Sequence, residues 1–354
     1  MSDKAKIRRR LRCPKCGSLH NIKWGSRQGL QRYKCGECGH LFEGRRKEIT
    51  TSNRFIWFKK WVSGRMAIDE ISLRSGYSTR QLHRWFDDYL DSSPKWAMNT
   101  STPIYLLIDG TYYSDDHCLI VYRAENLKRT IFYRFTTRED DDEIASDLLN
   151  IRDLGYNVIG ITTDGGDDII RAVQYVFPRV PRQRCVVHVQ RECMASITQK
   201  PRYPETRLFR NIVQQLSIVR TANDKLWWLN QYTKWIEDNE EYVFQKGIIP
   251  NTQQEYYVRN DLRKAYIHLK RALPNLFTYI DHPGVPKTTN ALEAFFGHIK
   301  DQIRSHRGMA ESRVDNFIKW YLFFNDEKKK KQPWHQPKMS RLPTIFVNYT
   351  HFCP

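Results

Sequence analysis

The chain has 354 residues, 40 % hydrophobic and 13 % aromatic, with a formal net charge of +19. This length suits two or three domains with at least one sizeable core, and the composition excludes a disordered chain. No apolar run approaches the roughly 18 residues of a membrane span, and the basic, cysteine-bearing N-terminus has no apolar signal region, so neither membrane insertion nor secretion is expected. The charge is uneven: residues 1–60 hold 17 Lys/Arg against 4 Asp/Glu. A basic front end on a near-balanced body is the electrostatic footprint of nucleic-acid binding, the plainer alternative being a solvated basic tail.

Four of the eight cysteines form Cys13-Pro-Lys-Cys16 and Cys35-Gly-Glu-Cys38, separated by 18 residues. Two such knuckles supply the four-sulfur shell of a structural zinc, and without an export signal disulfides are the weaker alternative. Gly17, Gly36 and Gly39 fall where the knuckles call for positive φ, and Asn21–Trp24 and Leu30–Lys34 read as strands of a zinc ribbon. Its cations Arg27, Arg32 and Lys34 are candidates for DNA contact. Cys118, Cys193 and Cys353 lack such spacing and read as small apolar residues.

Residues 54–90 have helical period, with Phe55, Phe58, Trp61 and Val62 on one stripe. Ile68, Ile71 and Leu73, a Ser75-Gly76 break, and a helix capped by Ser78 or Thr79 that turns Leu82, Trp85 and Phe86 inward give a helix-turn-helix cadence. Arg80, Gln81, His83 and Arg84 then face outward, as a major-groove helix requires; a helical hairpin with no DNA role is the alternative.

From Ile104 the pattern becomes strands: 104–114, 117–125 and 129–137, separated by short polar turns. Glu139-Asp-Asp-Asp-Glu143 opens a helix through Leu154, its acids reading as capping and solvated face. A fourth strand, 158–163, ends at Asp164-Gly-Gly, a helix follows over 168–177, and 182–189 reads as a fifth strand. The order β-β-β-α-β-α-β resembles the ribonuclease-H-like fold, in which the first and fourth strands are neighbours. Asp109, in Ile108-Asp-Gly, and Asp164 would then meet. Residues 194–286 read as an all-α insertion. After it, Thr288–Lys300 starts a helix with a Leu292, Phe295/Phe296, Ile299 stripe and Glu293 off that stripe. At about 100° per residue, Lys300 and Arg304 follow Glu293 on one face. Asn290 with Glu293 is also a capping box, and that alternative stays open.

Ile108-Asp-Gly-Thr, Thr163-Asp-Gly-Gly, Phe177-Pro178, Cys185-x-x-His188 and Thr289-Asn-x-x-Glu293 together resemble the signature of Mutator-like transposases and their bacterial insertion-sequence relatives, over about 104–320. The resemblance implies a DDE catalytic triad on a ribonuclease-H-like, retroviral-integrase-like α/β core, with Asp109, Asp164 and Glu293 as the acids. It implies two Mg²⁺ (or Mn²⁺) ions per site, held by those acids, that clamp attacking and leaving oxygens. It implies as partners the terminal repeats of a mobile element and the target DNA, with a homodimer joining the two ends and no membrane. Cys185, His188 and Asn290 are expected to shape the site, and one structural Zn²⁺ to sit on Cys13, Cys16, Cys35 and Cys38. Trp227 and Trp228 are read as core, with base stacking as the alternative that the resemblance raises.

The expected organisation is a zinc ribbon (1–48), a helix-turn-helix (49–92), a linker (93–103), a catalytic core (104–193 and 287–325) carrying an all-α insertion (194–286), and a basic tail (326–354). Location is expected to be cytoplasmic, on the bacterial nucleoid, or nuclear in a eukaryote. Two other functions remain open: a DNA-binding regulator derived from a transposase, and a ribonuclease-H-like nuclease.

Overall fold

The computed structural model of the chain describes residues 12–27, 30–43, 47–64, 66–94, 102–306 and 308–327. The Lys328–Lys331 run, Cys353, nearly all of the expected tail and residues 95–101 of the expected linker lie outside them. By proximity the described residues form two compact units, one holding those up to Pro94 with Asp301–Tyr321, the other those of 95–300 with those from Leu322 onward.

The first unit opens with β1 (Asn21–Arg27), β2 (Leu30–Cys35) and β3 (Leu41–Glu43), an antiparallel three-stranded sheet. Gly17 and Gly39 have positive φ, as the knuckles require; Gly36 does not. Its lack of a side chain serves a close approach instead, because a Cβ there would lie 2.8 Å from His20 Nδ1.

Three helices follow: α1 (Lys47–Ser63), α2 (Ile68–Ser75) and α3 (Thr79–Leu90). Gly76 ends α2 in the left-handed region, and Ser78 caps α3 by accepting from the Gln81 N–H. Leu82, Trp85 and Phe86 are buried as expected, but Leu73 is 86 % exposed. Two residues beyond Ile71 is about 200° around a helix, which turns Leu73 away from the buried face. Phe58 stacks on Tyr89 at 4.7 Å between centroids, Trp61 lies 5.0 Å from Phe86, and Trp320 donates from Nε1 to the Tyr89 carbonyl at 3.0 Å.

The second unit is built on β4 (Ile104–Ser114), β5 (His117–Ala124), β6 (Arg129–Thr136), β7 (Val158–Thr163) and β8 (Arg182–Arg184), in the spatial order β6-β5-β4-β7-β8. The first three strands are antiparallel, while β4–β7 and β7–β8 are parallel. The expected adjacency of the first and fourth strands of this sheet is present, with Ile108 opposite Thr163. Helices α4 (Asp141–Asp153) and α5 (Asp167–Val176) pack Ile144, Leu148, Ile169 and Val173 into one core with the strand residues Leu106, Ile108, Ile120 and Ile161.

The fifth strand is shorter than its sequence suggests. It ends at Arg184, and Val186–Ser196 is a helix, α6, rather than strand through Val189. Val186, Val189, Cys193 and Ile197 carry a helical spacing that the β-branched composition concealed, and all four are buried in a helical core. That core is completed by α7 (Pro204–Gln215), α8 (Ala222–Phe244) and α9 (Asn260–Ala272). A small hairpin, β9 (Lys246–Ile248) with β10 (Glu255–Tyr257), and the short α10 (Thr278–Asp281) flank α9. Trp228 is fully buried and donates to the Ile212 carbonyl at 2.9 Å, whereas Trp227 is 45 % exposed. The chain then returns to the sheet, Thr162 Oγ1 donating to the Pro286 carbonyl at 2.7 Å, before α11 (Asn290–Ser305) and α12 (Glu311–Glu327).

Candidate active site

Asp109 lies within β4 and Asp164 one residue past the end of β7, so the parallel Ile108–Thr163 register makes the two acids neighbours at one edge of the strand pair. Each is braced by a glycine N–H one or two residues downstream. Gly110 donates to Asp109 Oδ1 at 3.0 Å and Gly166 to Asp164 Oδ1 at 3.1 Å. Gly165 has φ +89°, and the Arg184 guanidinium, which donates to its carbonyl, occupies the place a Cβ would take.

Glu293 sits on the first turn of α11, half-buried, its backbone N–H bonded to the Thr289 carbonyl at 3.2 Å. Its carboxylate faces α6: His188 Nε2 is 3.2 Å from Oε1, and Arg191 donates in two-pronged fashion at 3.1 and 3.0 Å. The hydrogen bond from Arg191 holds the Glu293 carboxyl below its ordinary range. Asn290, expected to shape the site, is exposed at the start of α11. Thr289 beside it makes the contacts, donating from its N–H to Cys185 Sγ at 3.3 Å with its Oγ1 3.3 Å from His188 Nδ1.

Because Cys185 precedes α6 and His188 is in its first turn, the two face the same side, which a strand would forbid. The Cys185 contact raises His188 to about 9. Burial pushes the Cys185 thiol up, but hydrogen bonds from His188 and Thr289 outweigh it and lower its pKa. The pair therefore favours a proton on His188, whose charge is also attracted to Asp109 and Glu293.

Glu139, Thr289 and Arg191 are site residues that the sequence reading passed over. Arg191 continues the Cys185, His188 spacing along α6 and would have been visible had that segment been read as a helix. Of the acidic run, Asp140 caps α4, accepting from the Asp142 and Glu143 N–H groups, and Asp141 pairs with Arg171 at 2.6 Å, as a capping and solvated role requires. Glu139 differs from them: it reaches back over Gly110, where an added Cβ would collide with its Oε1.

Among the described residues no cation is ion-paired with Asp109, Asp164 or Glu139. Burial, then the charge of Asp164, pushes Asp109 up to about 8, and burial with the charge of Asp164 pushes Glu139 to about 7. Carboxylates crowded in this way, all hard oxygen donors, suit a divalent cation. The three acids of the expected triad do not lie within 4.8 Å of one another as a ready-made ligand set. Glu293 is engaged by Arg191 instead.

The four knuckle cysteines do form such a set. Cys13 and Cys38 sulfurs are 3.6 Å apart and those of Cys16 and Cys35 3.5 Å, close to the roughly 3.8 Å edge of a tetrahedral zinc–thiolate shell. The backbone N–H groups of Cys38 and Glu37 lower the Cys35 thiol to about 6, toward the thiolate that a metal takes.

Of the expected DNA-contact residues, Arg27 is exposed, while Arg32 and Lys34 are half-buried, with Lys34 Nζ 4.5 Å above the Trp24 ring. Arg80, His83 and Arg84 are exposed and line a shallow hollow with Thr79 and Asp87, and Gln81 is half-buried. Lys300 is half-buried on α11; Arg304 is exposed and pairs with Asp301 at 3.2 Å.

A mixed sheet carrying paired acids from neighbouring strands, with basic elements and a four-cysteine centre in the other unit, suits an enzyme that processes nucleic acid. The sequence pattern described as "Transposase, Mutator family" matches residues 124–313, more than half of the chain, and the chain belongs to that family. The match includes Asp164, Cys185, His188 and Glu293; Asp109 precedes it. No curated protein matches the chain. Family membership implies DNA as the substrate. Among the described residues no helix is long and apolar enough to cross a membrane.

Proposed function

We propose that the protein is a DDE transposase with a ribonuclease-H-like core, which binds the terminal repeats of a DNA element, cleaves its ends and joins the freed 3′-OH to target DNA. The observation that carries this reading is the parallel register of β4 and β7, which makes Asp109 and Asp164 neighbours with no ion pair to either among the described residues. Glu293 is the third acid; its carboxylate lies 3.2 Å from His188, whose charge also draws on Asp109.

Two divalent cations held by these carboxylates would lower the pKa of the attacking water or 3′-OH and neutralise charge on the phosphoryl oxygens. Gly110 and Gly166 hold one oxygen of each aspartate through their N–H groups and so fix the carboxylates' positions. His188 and Cys185, soft or nitrogen donors, orient Glu293 and Thr289 rather than hold a hard cation. Arg191 must release Glu293 for that acid to join the site, and its guanidinium is then available to a DNA phosphate. The zinc ribbon through Arg27, Arg32 and Lys34, and α3 through Arg80, Gln81, His83 and Arg84, would bind the element's ends, with Lys300 and Arg304 of α11 adding contacts to DNA. A homodimer would pair two ends.

Strand transfer with labelled oligonucleotides ending in the terminal repeat tests this. Asp109→Asn, Asp164→Asn and Glu293→Gln should each abolish cleavage and joining while leaving end binding intact. Near-native joining by Glu293→Gln would remove that residue from the triad. End binding without joining by the unaltered protein would instead mark a DNA-binding regulator, and cleavage without joining a nuclease.

A further inference from the structure

We propose that Glu139 is a fourth carboxylate of the active site, a ligand to a divalent cation shared with Asp109 and Asp164. This rests on the metal-dependent reading given above and adds to it a residue outside the DDE triad.

The placement is specific. Glu139 is half-buried and stands one residue before the Asp140 cap of α4, so its side chain is not spent on the helix terminus. Its carboxylate lies over the two glycines that follow the catalytic aspartates. Oε1 fills the space that a Cβ on Gly110 would need. A Cβ on Gly166 would stand 3.8 Å from Oε2 and 3.9 Å from Asp164 Oδ1, so those two oxygens border one common point. Glycine at position 110 is what lets a third carboxylate approach so closely, since a Cβ there would collide with Oε1; at Gly166 the approach is an ordinary contact.

The neighbourhood supplies no alternative partner. Arg138 reaches for Asp140, Arg134 for Asp147 and Glu143, and Arg171 for Asp141 and Asp168; among the described residues none is ion-paired with Glu139. The charges nearest to it are Asp164 and Asp168, both negative. A half-buried carboxylate pressed toward two others, with Arg134, Arg138 and Arg171 committed elsewhere, is stabilised by a bound cation. Its link to the aspartates is also more direct than that of Glu293, which Arg191 holds.

The test is titration of Mn²⁺ into the full, zinc-loaded chain, alone and on terminal-repeat DNA, followed by calorimetry. Wild type should bind, Asp109→Asn should lose binding, and Glu139→Gln should bind at least about tenfold more weakly. Glu139→Asp, which keeps the charge but shortens the reach, should fall between. Asp142→Asn, an exposed acid of the same run, should match wild type. Without added cation Glu139→Gln should melt no lower than wild type, because it keeps the shape and removes a like charge, so weakened binding cannot be assigned to misfolding. Wild-type affinity in Glu139→Gln together with lost binding in Asp109→Asn would overturn the proposal and leave the aspartate site standing. Absence of saturable Mn²⁺ binding to wild type on DNA, or unchanged binding in Asp109→Asn, would overturn the metal site itself.

Discussion

His306 shows how burial alone sets the chemistry of a single residue. It is 8 % exposed, its ring lies 4.5 Å from that of Trp61, and its Nε2 is 3.2 Å from the Trp61 carbonyl. Burial lowers its pKa, and the carbonyl contact only partly opposes this. The folded state therefore binds fewer protons at this site than the unfolded chain. Its contribution to stability is complete above the ordinary histidine range and is lost as pH falls through and below that range. Urea unfolding between pH 5 and 7.5, about that range, should show stability declining toward acid, and His306→Gln should flatten the decline. A decline of equal slope in the variant would assign it elsewhere. Asp109 shows the opposite case. There burial and like charge combine, and the two acids were legible in sequence because each follows an apolar run and precedes glycine. Glu139 was not legible, since its meaning depends on two glycines 29 and 27 residues away along the chain.

At the scale of elements, β5, β6 and α4 are joined by a buried charge. Asp147 on α4 is fully buried; Arg134 Nε donates to it at 2.7 Å and the Tyr122 hydroxyl at 2.9 Å. Burial raises the Asp147 pKa, with the Arg134 and Tyr122 hydrogen bonds opposing it. Removing the acid leaves a guanidinium and a buried hydroxyl without their acceptor. Asp147→Ala should destabilise the protein by about 3–5 kcal/mol, read by denaturant unfolding. A loss below about 1 kcal/mol would mean that solvent replaces the lost acceptor. Nothing in the local sequence distinguishes Asp147 from the solvated acids around it. Only the strand pairing sets Tyr122 and Arg134 opposite its turn of helix. The same limit explains α6: Val186, Val187 and Val189 favour a strand locally, and the helical core decides otherwise.

At the scale of the molecule, the basic front end and the four-cysteine centre belong together. Cys13 and Cys35 are nearly inaccessible, and the small core around them holds little beyond Phe42, with Tyr33 and Cys38 against it. So few apolar side chains do not by themselves hold a sheet of this size, and a metal on the four cysteines would supply the rest. Cys13→Ser should lose one zinc by elemental analysis and weaken binding to terminal-repeat DNA, while the sheet unit keeps its own melting transition. Retention of the zinc would remove Cys13 from the ligand set.

By itself the sequence determined the features whose physics is local. These are the cysteine knuckles with their spacing, the Ser78-capped helix, the strands from Ile104 to Thr163, and the apolar runs that lead into Asp109 and Asp164. Each is written in a run of a few residues, as periodicity, a turn or a ligand spacing. The tertiary structure alone decided which side chains complete the site opened by Asp164. Glu139 arrives over Gly110 and Gly166, Thr289 reaches Cys185 and His188, and Arg191 takes Glu293. Those assignments depend on through-space distance between segments far apart in the chain, where desolvation and charge, rather than local propensity, set the energy.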